Sequence, residues 1–152
     1  MTKKRIEKMV SVVAKYITDE VELITAFDIR EAVFVQEQKV PRVDEFDEFE
    51  DDSFHFLATI NNKAVGAARY RKTPNGIKLE RFAVLSAHRG RGVGKALVSV
   101  VLDHIKQAGT SGKLYLHAQL DAVPLYSHFG FKIVGEQFSE CDIEHRLMEL
   151  VR

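Results

Sequence analysis

A chain of 152 residues, 45% hydrophobic and 29% charged, is sized for one folded domain around one core and has the composition of a soluble globule. Its 22 basic and 22 acidic residues cancel, so no overall charge points to nucleic acid or a membrane surface as a partner. The single cysteine, Cys141, excludes an intrachain disulfide framework and fits a reducing, cytoplasmic setting.

Residues 1–8 carry Lys3, Lys4, Arg5 and Lys8 and read as a candidate flexible N-terminal segment of an otherwise single domain. The apolar stretch behind them, residues 9–14, is too short for a signal peptide and runs into Lys15. Nothing approaches the roughly 20 apolar residues that cross a bilayer. Residues 9–16 suit a first strand, and Thr18 or Asp19 can cap the helix behind it. In that helix Leu23, Phe27, Arg30 and Phe34 recur at helical spacing on one side, with Ala26, Ile29 and Val33 beside them. Pro41 and an acidic tract, with seven carboxylates in residues 44–52, then mark a loop. That tract reads as solvated, or else as an attractor for a cationic acceptor.

Residues 54–60 and 64–71 form two strands about the turn Asn61-Asn62-Lys63. A second turn, Thr73-Pro74-Asn75-Gly76, returns the chain into a strand over 77–85. A helix over about 92–108 buries Leu97, Val98, Val101, Leu102 and Ile105, and Gly109 and Gly112 end it. Residues 113–120 alternate, with Tyr115, His117 and Gln119 on one face. A short helix from Asp121 and two closing strands, 131–138 and 146–151, complete the chain. Hairpins first and a helical crossover later imply a mixed sheet flanked by helices, an α/β (α+β) fold.

The chemistry concentrates in Arg89-Gly90-Arg91-Gly92-Val93-Gly94, between a strand and a helix. Glycine permits positive φ and close approach of a ligand to the backbone. The free N–H groups of the helix's first turn, with Arg89, Arg91 and Lys95, then make a cradle for a pyrophosphate. A Walker loop needs Ser or Thr after Gly94-Lys95, where Ala96 stands. A dinucleotide fingerprint needs Gly or Ala where Leu97 or Lys95 stands. Both spacings fail, and R-x-x-G-x-G remains.

At this point the sequence resembles the GNAT superfamily of acetyltransferases. Leu79-Glu80-Arg81-Phe82-Ala83-Val84 matches its fourth strand, residues 89–94 its cofactor turn, and Leu125-Tyr126-Ser127-His128-Phe129-Gly130-Phe131 its tyrosine-bearing segment. More narrowly, Arg30-Glu31-Ala32-Val33-Phe34-Val35-Gln36-Glu37-Gln38 with Pro41, Asp47 and His55 looks like a bacterial subfamily of small members. These end in a segment like Ile143-Glu144-His145-Arg146-Leu147-Met148, with proline usual where Glu144 stands. The resemblance implies a mixed, mostly antiparallel sheet of six or seven strands flanked by helices, and acetyl-CoA as cosubstrate. It implies that Phe82, Ala83 and Val84 pair with the pantetheine arm like an added strand. The N–H groups of Gly90, Arg91, Gly92, Val93, Gly94 and Lys95 would hold the pyrophosphate. Gln119, seven residues before Tyr126, stands where an asparagine often contacts the cofactor.

Aminolysis of a thioester needs a neutral amine and a proton for the departing thiolate. Tyr126 is the candidate acid and Glu80 the first candidate base, with His117 or water as alternatives. His55 and His145 are noted through the subfamily resemblance. Neither a His-Glu-x-x-His pattern nor a thiolate cluster occurs, so no metal is expected. The expected function is N-acetylation of a small-molecule or peptide amine; a non-catalytic acyl-CoA sensor and a nucleotide-binding protein are the alternatives. The closing strand pair is where members often meet a partner, which leaves a homodimer open.

Overall fold

The computed structural model describes residues 11–151. The basic segment 1–8 and the first two residues of the expected first strand lie outside them. Seven strands form one sheet: β1 (Val12–Tyr16), β2 (Phe54–Ile60), β3 (Lys63–Thr73), β4 (Gly76–Val84), β5 (Leu114–Gln119), β6 (Lys132–Glu140) and β7 (Ile143–Leu150). Their spatial order is β1-β2-β3-β4-β5-β7-β6, antiparallel throughout except for the parallel contact of β4 with β5. Strands β2, β3 and β4, and likewise β6 and β7, follow one another through short turns. Asn61 and Asn62 both take positive φ between Ile60 and Lys63, the primed geometry that matches strand twist. Cys141 and Asp142 do the same between β6 and β7, so the last turn forms without proline at position 144.

Helix α1 (Glu20–Arg30) starts where the Asp19 carboxylate accepts a hydrogen bond from the Glu22 N–H at 2.8 Å. The expected helix does not stay α-helical. Over Glu31–Glu37 it loosens into a π-helical segment, whose closure carries the Gln38 N–H to the Val33 carbonyl at 3.0 Å. One sheet face is covered by α1 and this segment, which pack Ala26, Ile29, Val33 and Phe34 against Leu57, Ala67 and Ala83. The other is covered by α3 (Val93–Gln107), whose Leu97, Val98, Val101 and Ile105 are fully buried. Each contributes about 2 kcal/mol by leaving water. Leu114, Leu116 and Ala118 of β5 meet that core from the sheet.

The acidic tract is not a solvated loop. Its start forms a short helix, α2 (Arg42–Glu45), and three of its carboxylates turn inward onto buried arginines. Arg30, 1% exposed, gives Nε to Glu45 at 2.9 Å and both terminal nitrogens to Glu50 at 2.9 and 2.8 Å. Arg69, wholly buried on β3, clasps Asp47 through two hydrogen bonds of 2.9 and 2.7 Å and also reaches Glu50. A buried guanidinium must be paired, and these carboxylates are the nearest means. Glu48, Asp51 and Asp52 remain exposed.

Candidate active site

Strand β4 leaves β5 almost at once. The two pair only at Ile77–Leu114 and Lys78–Tyr115, and beyond Lys78 they part. A bulge sets the direction of the parting strand. Between the pairs Arg69–Glu80 and Ala67–Ala83, one residue of β3 faces two of β4, and Arg81 adopts a φ of 61°. That left-handed turn in a non-glycine residue costs about 1–2 kcal/mol and is held from outside. The Arg81 guanidinium donates to Asp47 at 3.1 Å and to the backbone carbonyl of Glu45 at 3.2 Å. The acidic segment therefore fixes the opening.

The cleft between the strands brings together Glu80, Phe82, His117, Gln119, Tyr126 and His145. Tyr126 stands on the short helix α4 (Val123–His128) with its ring edge-on to Phe82 at 5.7 Å and to Phe131 at 6.2 Å. Burial, assisted by the Asp121 charge, pushes its hydroxyl well above the ordinary tyrosine range, so it keeps its proton. Gln119 is already engaged: it donates to the Gln38 side chain at 2.8 Å, across the cleft from the end of the π-helical segment. His55 lies elsewhere, its Nε2 2.8 Å from the Glu50 carbonyl beneath Phe27, where it braces the acidic segment.

Glu80 sits among cations. Its carboxylate accepts from Arg69 at 2.9 Å and Arg71 at 2.5 Å, with Lys78 at 3.5 Å and Arg81 at 3.7 Å. Burial pushes it up, but Arg69, Lys78 and Arg81 outweigh burial and hold it below the usual carboxylate range. Such a group is slow to take a proton.

The glycine turn follows β4 and a single 3₁₀ turn, Ser86–His88. Gly90 and Gly92 have φ of 77° and 83°, and a Cβ on either would meet nothing within 4 Å, so the backbone lies open to a ligand. Gly92 begins α3 with no side chain capping the first N–H groups. Arg91 and Lys95 are exposed, Val93 is buried as the first anchor of α3, and a Cβ added to Gly94 would press on Leu125 at 3.2 Å. Arg89 is held by Glu37 through bonds of 2.6 and 2.7 Å, and its Nε donates to the Val84 carbonyl. Phe82 to Val84 lie on the edge of β4 that β5 has left. Among the described residues no group of His, Cys, Asp or Glu is arranged to hold a metal ion, and no helix is long and apolar enough to cross a membrane.

Two partners escaped the sequence reading: Gln38 opposite Gln119, and Glu140, whose Oε2 lies 3.0 Å from His117 Nδ1. Both contacts are made between elements far apart in the chain. Neither is visible in any short-range pattern of the chain.

A sheet parted at its one parallel junction, beside an uncapped helix led by glycines, offers a free strand edge and a row of open N–H groups that suit an extended ligand carrying phosphate. Residues 13–152 match the model of the Acetyltransferase (GNAT) domain. The chain is 40% identical over 141 residues to the uncharacterized N-acetyltransferase YjcF of Bacillus subtilis (strain 168), covering 92% of this chain and 98% of that one. An acyl-CoA N-acyltransferase from Pseudomonas aeruginosa superposes with a TM-score of 0.77 at 26% identity, over 92% of this chain and 98% of that one. A GNAT family acetyltransferase from Elizabethkingia anophelis, solved with acetyl-CoA bound, shares the fold at a TM-score of 0.68 and 16% identity, over 93% and 98% of the two chains. The protein belongs to the GNAT acetyltransferase family and is an acyltransferase.

Proposed function

We propose that the protein moves the acetyl group of acetyl-CoA to a primary amine of a small molecule or peptide, by direct attack on the thioester. The observation that carries this reading is the parting of β4 from β5 with the buried Tyr126 hydroxyl in the cleft. The freed edge at Phe82, Ala83 and Val84 suits the amide groups of a pantetheine arm, and the relative solved with acetyl-CoA has the same fold. The open N–H groups from Gly90 to Lys95, with Arg91 and Lys95 beside them, suit a pyrophosphate. Arg89 joins them by exchanging Glu37 for phosphate. Gln119 contacts the cofactor only by giving up Gln38.

The thioester carbonyl is polarised by a backbone N–H near Val84. The amine nitrogen bonds to the carbonyl carbon, the C–S bond breaks, and the thiolate takes the Tyr126 proton. Glu80, balanced by four cations, acts on the amine at most through water. Thiol release from acetyl-CoA, followed across a panel of amines with the product identified by mass spectrometry, tests the reading. Tyr126→Phe should lower kcat by about 100-fold or more while coenzyme A affinity stays nearly constant. Equal kcat in the variant removes the acid assignment.

A further inference from the structure

A thioester attacked by an alkylamine needs a base, because only about one part in a thousand of such an amine is neutral at pH 7. Glu80 is poorly suited, its carboxylate being shared among Arg69, Arg71, Lys78 and Arg81. The cleft contains a better arrangement. His117 stands on β5 just past the point where that strand leaves β4, and its ring lines the cleft. Glu140, at the end of β6, holds Nδ1 at 3.0 Å, and Phe138 packs edge-on against the ring at 5.1 Å. The Nε2 atom has no partner among the described residues. A carboxylate on Nδ1 fixes the tautomer with a lone pair on Nε2 and stabilises the imidazolium that forms when Nε2 takes a proton.

We propose that His117 is the general base of the acetyl transfer and that Glu140 positions it, an inference that rests on the acetyltransferase reading above. The acceptor ammonium gives one proton to His117 Nε2, and the freed nitrogen lone pair forms the C–N bond. As the C–S bond breaks, the thiolate takes the hydroxyl proton of Tyr126. The second nitrogen proton restores Tyr126, and His117 returns its proton to water, so one proton is released per turnover. Other charged groups surround the dyad: Lys78 and Glu80 from β4, His145 from β7, and Asp44 across the mouth near Cys141. The hydrogen bond from His117, then Lys78 and His145, hold Glu140 below the usual carboxylate range, so it is charged at neutral pH.

The test uses the full chain, acetyl-CoA and two amines: propylamine, mostly an ammonium ion at pH 7, and trifluoroethylamine, mostly neutral there. His117→Gln should lower kcat/KM for propylamine at pH 7 by about 100-fold, lower it for trifluoroethylamine by less than about 5-fold, and replace the acid limb of the propylamine profile by a rise that follows the amine's own deprotonation. Glu140→Gln should keep that limb but move it to lower pH, because losing the carboxylate makes the imidazole less basic. The His117 ring proton followed by NMR should show the same shift without turnover. Coenzyme A affinity by calorimetry should be unchanged in both variants. Equal losses on the two amines, or an acid limb that stays put in H117Q, overturn the dyad alone. Wild-type protein that binds coenzyme A yet acetylates neither amine, nor any other in the panel, overturns the acetyltransferase reading and takes the dyad with it.

Discussion

The residues of the glycine turn divide by what an added methyl group would meet. At Gly92 it meets open space, yet the φ of 83° is one that side chains resist, so Gly92→Ala stores about 1–2 kcal/mol of backbone strain without a clash. Relief of that strain tilts the first N–H groups of α3, and coenzyme A should bind about 10-fold more weakly by calorimetry, near 1.4 kcal/mol. Gly109→Ala is the control, with a φ of 68° and equal space at the far end of the helix. It should cost stability and leave affinity alone; equal affinity in the two variants would remove the turn from the binding site. This turn was readable in the sequence because its chemistry is local: glycines, cations and a helix start within a few residues. Glu80 was readable only by position. Its cationic neighbours Arg69 and Arg71 arrive on another strand, through an antiparallel register that no short-range pattern encodes.

The same contrast holds for whole elements. Strands β2 to β5 and helix α3 follow from alternation, turn residues and helical spacing, and their ends shift by only a residue or two. Two elements did not follow. The π-helical segment keeps the apolar spacing of a helix, and only the closure of Gln38 onto Val33 betrays it. The acidic tract looked solvated because its counterions are distant. One residue did hint otherwise: Arg30 shares the apolar side of α1 with Phe27, and an arginine in that position calls for an internal carboxylate. Arg69→Met should therefore leave Asp47, Glu50 and Glu80 without their common partner. The expected loss is about 3–5 kcal/mol, seen as a fall of roughly 10 °C in Tm. A melt within about 2 °C of the wild type would show that the network is solvated after all.

For the molecule as a whole, the network makes stability depend on acid in a calculable direction. Burial pushes Asp47 up, but its bonds from Arg69 and Phe49 and the charge of Arg81 bring it down from 3.8 to about 2. A carboxyl whose folded value lies below its unfolded one stabilises above the unfolded value and stops doing so as pH falls through the folded one. Asp47 alone then accounts for about 2 kcal/mol, lost between about pH 4 and pH 2. Glu50 and Glu80 shift the same way, whereas burial raises Glu45 and opposes them. Denaturant midpoints should hold steady from pH 7 to about 5 and drop steeply below about 4; a midpoint flat down to about pH 2 would contradict the ion pairing. The network also bears on engineering. A designer wishing to reshape the mouth of the cleft, which Asp44 and Glu45 line, would naturally exchange residues 41–53 for the corresponding stretch of a relative. That stretch is not a cassette. Its anchors, Arg30, Arg69 and Arg81, belong to a helix and two strands of the frame, so a transplant lacking the carboxylates of Glu45, Asp47 and Glu50 would strand three cations in the host and loosen the very bulge that opens the sheet. The segment and its anchors form four separated pieces of sequence, and libraries that vary them together should recover folded chimeras where single-segment swaps do not.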